Sequence, residues 1–149
     1  MLNPDFRDML SALCDEEVEF LLVGAYALAA HGLPRATGDL DIWVRVSPEN
    51  ARRAMRALVR FGAAVPGVTE QDFQTPGSVI QIGVSPRRID FLTAIDGIEF
   101  DQAWPERAEV SLEGLTRPLI GRADLIRNKK AAGRPQDLAD VARLEAEGA

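Results

Sequence analysis

One cysteine, Cys14, occurs in the 149 residues, which excludes an intrachain disulfide and a cysteine-rich zinc site. Histidine is as scarce. His31 stands alone, so a hydrolase built on imidazole metal ligands has no support. Only two of the 17 basic residues are lysine, and those two, Lys129 and Lys130, are adjacent. No apolar run approaches the length of a bilayer span, and the opening MLNPDFRDML lacks the basic-then-apolar layout of a secretory leader. A cytoplasmic protein is expected. No internal repeat, low-complexity tract or linker interrupts the chain. With 46% hydrophobic and 27% charged residues, positions 1–149 read as one domain with a full core.

The formal net charge of −6 disfavours a protein that coats duplex nucleic acid through its overall field. The charge is segregated, however. Six of the first nineteen residues are acidic, whereas residues 122–136 carry five basic side chains and one acid. A local basic groove near the C-terminal end remains compatible with that distribution.

Hydrophobic spacing predicts a first helix over 4–14 and a short buried strand over 19–23 ending at Gly24. An alanine-rich helix follows over 25–31, stopped by Gly32 and Pro34, and then a strand over 39–46. Ser47, Pro48 and Glu49 form the clearest helix start, with Gly62 as its stop. Residues 64–77 read mostly as loop. Strands over 79–84 and 88–93 flank a turn at Ser85-Pro86-Arg87. Loops and short strands suit 94–120, and two closing helices suit 122–132 and 136–147.

The most informative stretch is residues 21–46, LLVGAYALAAHGLPRATGDLDIWVRV. Strand side chains alternate faces, so Asp39 and Asp41 point the same way, roughly 6–7 Å apart at Cα. Leu40, Ile42, Val44 and Val46 take the opposite face. Two carboxylates on one face are costly unless a cation sits between them. A divalent metal carrying a nucleoside triphosphate is the candidate. Asp90, in a strand with Ile89 and Phe91 facing away, would join them if that strand lies beside the first pair. Three clustered carboxylates suit two magnesium ions, one gripping the triphosphate and one activating an acceptor hydroxyl. An isolated Asp-x-Asp is short and common, and alone would be read as solvated strand-end aspartates. Gly24 strengthens the pattern, because it allows close approach at the start of a helix whose N–H groups can receive phosphate oxygens.

Gly24-Ala25, then Asp39-Leu40-Asp41 fifteen residues later, then Asp90 on a later strand, resembles the polymerase-β-like nucleotidyltransferase superfamily. The resemblance runs from Val18 to Leu144. It is nearest to small prokaryotic members related to AbiEii-like toxins and to minimal nucleotidyltransferases. It implies an α+β fold, a mixed β-sheet flanked by helices, with C-terminal helices closing the chain. It also implies magnesium on Asp39, Asp41 and Asp90. Ala25 departs from the family's usual serine or second glycine, which leaves a backbone amide without the hydroxyl. The run Leu125-Ile126-Arg127-Asn128-Lys129-Lys130-Ala131-Ala132-Gly133-Arg134-Pro135-Gln136-Asp137-Leu138 resembles a C-terminal motif of the AbiEii-like group. There a lysine approaches the nucleotide phosphates and a later aspartate, here Asp137, supports the site. Lys129 fits that lysine best, Lys130 second. Asp137 suits equally well the N-terminal charge of the last helix.

Arg35 and Thr37, in the loop before Asp39, are candidates for phosphate or acceptor contact. His31 suits a C-capping or packing role. Trp43 shares the face of Asp39 and Asp41 and reads as a core or rim aromatic with some capacity to stack on a base. The leading expectation is transfer of a nucleoside monophosphate from an NTP to a hydroxyl of RNA, such as a tRNA 3′ end, or of protein, in a toxin–antitoxin setting. The alternative is a non-catalytic module of the same fold that binds a partner protein, as an antitoxin does.

Overall fold

The computed structural model describes residues 2–35, 38–62, 67–84, 86–112 and 114–147. Its spine is a six-stranded mixed sheet. The strands are β1 (Phe20–Val23), β2 (Leu40–Val44), β3 (Val79–Ile82), β4 (Ile89–Leu92), β5 (Ala108–Leu112) and β6 (Leu115–Leu119), in spatial order β3-β4-β2-β1-β6-β5. β2 runs parallel to β4 and β1 parallel to β6, while the β1–β2, β3–β4 and β5–β6 pairs are antiparallel. β1 is buried at all four positions, as a short apolar run in the middle of a covered sheet should be.

Among the described residues seven helices accompany the sheet: α1 (Pro4–Asp15), α2 (Gly24–Ala30), α3 (Pro48–Phe61), α4 (Glu70–Gln74), α5 (Phe100–Ala103), α6 (Arg122–Ala132) and α7 (Pro135–Glu147). α1 starts at Asn3, whose side chain accepts the Asp5 N–H at 2.8 Å, and buries Phe6, Met9, Leu10 and Leu13 at helical spacing. α3 has the expected ends. Ser47 accepts the Asn50 N–H at 3.1 Å, and Gly62 closes the helix in the left-handed region at φ 92°. Such an N-cap contributes about 1 kcal/mol. Asn50 then turns inward, accepting from Glu19 N–H at 2.8 Å and donating to the Glu19 and Arg45 carbonyls at 3.1 and 2.9 Å. One buried amide thereby ties α3 to the ends of β1 and β2, the second of which carries Asp41.

Two elements differ from the sequence expectation. Within 64–77 the structure has α4, started by a capping box of Thr69 and Asp72; its five residues are too few for a readable period. Trp104-Pro105 opens a 3-10 turn over Trp104–Glu106 directly after α5, because proline is well placed at the start of a helical turn. The short strands expected within 94–120 are present as β5 and β6, paired antiparallel. Ser85, part of the expected hairpin turn, lies outside the described residues. Among the described residues no helix is long and apolar enough to cross a membrane.

Candidate active site

The parallel pairing of β2 with β4 puts Asp41 directly opposite Asp90. Adjacent strands lie about 4.8 Å apart, so the two carboxylates are neighbours on one face, with Asp39 one pleat further along. Leu40 and Ile42, on the other face, are fully buried. The Leu40 N–H donates to the Arg88 carbonyl at 2.9 Å, which fixes this register at its first residue.

Gly24 explains how Asp41 is accommodated. Its φ is +68°, a left-handed conformation, and a methyl group built there would overlap Asp41 Oδ2. Glycine is thus needed twice, for its backbone angle and for the space the carboxylate fills. Gly24→Ala is expected to cost about 1–2 kcal/mol from the backbone and to turn Asp41 away. Divalent-ion affinity should then fall further than stability does. Manganese titration alongside a denaturant melt checks this, and unchanged affinity would remove Gly24 from the site.

Burial raises the Asp41 carboxyl, and the charges of Asp90 and Asp39 raise it further, while Arg88 lowers it; the result is about 6. Arg88 is the charge between these acids. Its Nε donates to Asp90 Oδ1 at 2.9 Å, its Nη2 to Asp90 Oδ2 at 3.2 Å, and the same nitrogen lies 3.4 Å from Asp39 Oδ2. Asp90 is buried, whereas Arg88 is one-third exposed. Three hard oxygen-donor groups on one sheet face suit Mg²⁺ or Mn²⁺ in donor type and register. With Arg88 in place, no three Asp, Glu, His or Cys side chains among the described residues are disposed to hold one ion.

Beside Asp41 lies a cleft of about 390 Å³, lined by Gly24 and Asp41 on the sheet side and by Asn128, Lys129, Arg134 and Asp137 on the helix side. The helix wall is built from alternating charges. Lys129, on α6, is buried and reaches Asp137 at 3.3 Å and Asp140 at 3.0 Å, both on α7. Arg134 holds Asp137 through Nε at 2.6 Å and Nη2 at 3.2 Å. Arg35 grips Asp140 with both terminal nitrogens. Asp137 is pulled below its ordinary value chiefly by the Arg134 hydrogen bond. Burial by itself would raise Asp140, but hydrogen bonds from Arg35, Lys129 and Gln136 outweigh it and bring it to about 2. Three cations thus face two ionised acids. The Arg134 side chain, 77% exposed and paired with Asp137, is the most open cation of the cleft wall.

Gly24, Asp41 and Lys129 therefore share one cleft, with Asp39 and Asp90 beside it through Arg88. Ala25 follows Gly24 on α2 but is outside the cleft lining. Arg35 is committed to Asp140 on α7. Lys130 turns away and pairs with Glu145 at 3.0 Å on an exposed surface. Thr37 lies outside the described residues. Asp137 does both jobs open to it. It accepts the Arg134 backbone N–H at 3.3 Å at the start of α7 and partners Lys129. His31 follows α2 and its Nε2 is 2.8 Å from the Ile120 carbonyl oxygen, a packing role. Trp43 is buried edge-to-face against Phe100 and offers no open face for stacking.

Arg88 and Asp140 were missed by the sequence reading, and local signals existed for both. Arg88-x-Asp90 places cation and acid on one strand face, and Asp137 with Asp140 makes one helix face (i, i+3). Their partners, Asp39 and Arg35, are distant in the chain, so the ion pairs themselves were not visible.

The order of strands, the paired aspartates and the closing helices define an α+β protein with a nucleotidyltransferase-like fold. The structure matches that of a proposed nucleotidyltransferase from Thermotoga maritima (TM1012) with a TM-score of 0.63 and 17% identity, covering 99% of this chain and 96% of that one. At that identity the likeness concerns the fold. No protein-family model and no curated protein matches this chain.

Proposed function

We propose that this protein is a nucleotidyltransferase that moves a nucleoside monophosphate from an NTP to a hydroxyl. The observation that carries this reading is the register pair Asp41–Asp90, with Asp39 beside it, at the edge of a cleft whose other wall presents Lys129 and Arg134. Acids on one side and cations on the other suit a metal–triphosphate. Asp39, Asp41 and Asp90 would hold Mg²⁺, two ions at most, which would supply charge stabilisation at the α-phosphate and a more acidic acceptor hydroxyl. Arg134, anchored edge-on by Asp137, offers its free N–H groups to phosphate oxygens, and the Lys129 amine adds positive charge behind it. Gly24 leaves the room that the Asp41 carboxylate occupies at the edge of the cleft. The acceptor hydroxyl gives up its proton to solvent, its oxygen bonds to the α-phosphorus, the bond from that phosphorus to the oxygen bridging to the β-phosphate breaks, and pyrophosphate leaves.

The acceptor is RNA or a protein side chain, and the AbiEii-like, toxin–antitoxin setting is the finer form of the same proposal. A partner-binding module of this fold is the second reading. It is favoured by one observation, that Arg88 already neutralises two of the three acids.

Incubating the protein with Mg²⁺, each α-labelled NTP, and separate RNA and protein fractions tests the proposal, with Asp41→Asn as control. Label that enters one fraction and vanishes in the variant supports transfer and names the acceptor class. Absence of label with every nucleotide and both fractions, from folded protein, favours the binding module.

A further inference from the structure

We infer that Arg88 stands in the place of a divalent cation in the resting protein and makes cation binding depend on the arrival of the triphosphate. This rests on the nucleotidyltransferase reading and concerns how its site is loaded. One guanidinium spans two of the three acids, with contacts of 2.9 and 3.2 Å to Asp90 and 3.4 Å to Asp39. No trio of ligating side chains is assembled around a single point among the described residues. Asp90 and Asp39 are turned onto the fork of Arg88.

A bare cation entering this site must break both ion pairs and leave Arg88 unpaired beside it, two like charges in a small space. A cation that arrives with a triphosphate brings the replacement partner. Phosphate oxygens match the guanidinium fork as carboxylates do. The Arg88 side chain is one-third exposed and so can leave the acids without unpacking the core. Asp90 is buried at its foot and stays in place through its register with Asp41. Cation and triphosphate then favour each other's binding, and by linkage each strengthens the other by the same factor.

An orienting role for Arg88 makes the opposite prediction. If the guanidinium merely held the carboxylates ready, its removal would free them to splay and weaken cation binding. The sign of the change separates the two.

The test measures Mn²⁺ affinity by calorimetry or electron paramagnetic resonance, alone and with a non-hydrolysable NTP analogue, for the parent, Arg88→Met and Arg88→Lys. Circular dichroism confirms that each is folded. For the parent, weak binding of Mn²⁺ alone and roughly tenfold tightening by the analogue are expected. Arg88→Met should bind Mn²⁺ alone roughly tenfold more tightly than the parent and lose most of the tightening. Arg88→Lys, which keeps a charge but loses the fork, should fall between them. Equal or weaker binding of Mn²⁺ alone by Arg88→Met overturns the inference and leaves the metal site standing. Failure of all three folded proteins to bind Mn²⁺, with and without the analogue, overturns the metal site and the inference together.

Discussion

Asp41→Asn is expected to abolish transfer and to raise the melting temperature at pH 7.5. An acid whose folded value, about 6, lies above its ordinary 3.8 binds its proton more tightly in the folded state. Its contribution to stability is therefore largest below about pH 4. That contribution is lost as the pH rises through 6 and stays lost above it. The full span is about 3 kcal/mol, and solvent at the open side of the group reduces it to about 1–2 kcal/mol. The asparagine carries no such cost. In metal-free buffer it should gain roughly 3–6 °C at pH 7.5 and nothing at pH 4. Melts at the two pH values, paired with the labelled-nucleotide assay, check both halves. A variant that melts below the parent at pH 7.5 would show that Asp41 is compensated by a contact other than Arg88.

The second large effect concerns Lys129→Met, expected to destabilise the protein by about 3 kcal/mol, or roughly 6–12 °C. The amine lies between two carboxylates that are almost fully buried. Removing it leaves Asp137 with Arg134 and Asp140 with Arg35, so the loss falls at the lower end for a broken buried ion pair. Lys130→Met, which breaks only an exposed pair with Glu145, should change stability by less than about 0.5 kcal/mol. Adding Asp140→Asn to Lys129→Met should restore part of the loss, because one orphaned charge goes with it. Denaturant melts of the four proteins decide the matter. Equal stability of the two lysine variants would refute the role of the network in joining α6 to α7. Activity of Lys129→Met is informative only at temperatures where it is folded.

The adjacent lysines show what a sequence can convey and what it cannot. Their rarity in a chain of arginines marked the right helix, and helical spacing separates an inward residue from an outward neighbour. What Lys129 does there depends on Asp137 and Asp140, eight and eleven residues on, and on Arg35 more than ninety residues earlier. The strands were legible because Leu40 and Ile42 alternate with Asp39 and Asp41, and Ile89 and Phe91 with Asp90. Pairing of β2 with β4 needed only one assumption, that the third acid joins the first two. α4 and α5 were not legible, since five and four residues carry no period. Gly24 was read as space for a phosphate; the structure uses that space for the Asp41 carboxylate.

The sheet's own connectivity bears on how the molecule is assembled. β1 takes β6 as its parallel neighbour, and the paired residues Leu22 and Leu119 stand 97 positions apart. Closing so long a loop is slow compared with forming the nearer antiparallel pairs β1–β2 and β3–β4. β2 and β4 carry all three aspartates or adjoin them, and they pair across a shorter separation, so the acidic half gathers first. The α6–α7 wall follows β6 in the chain, so the cleft's second side is synthesised after all six strands of the sheet.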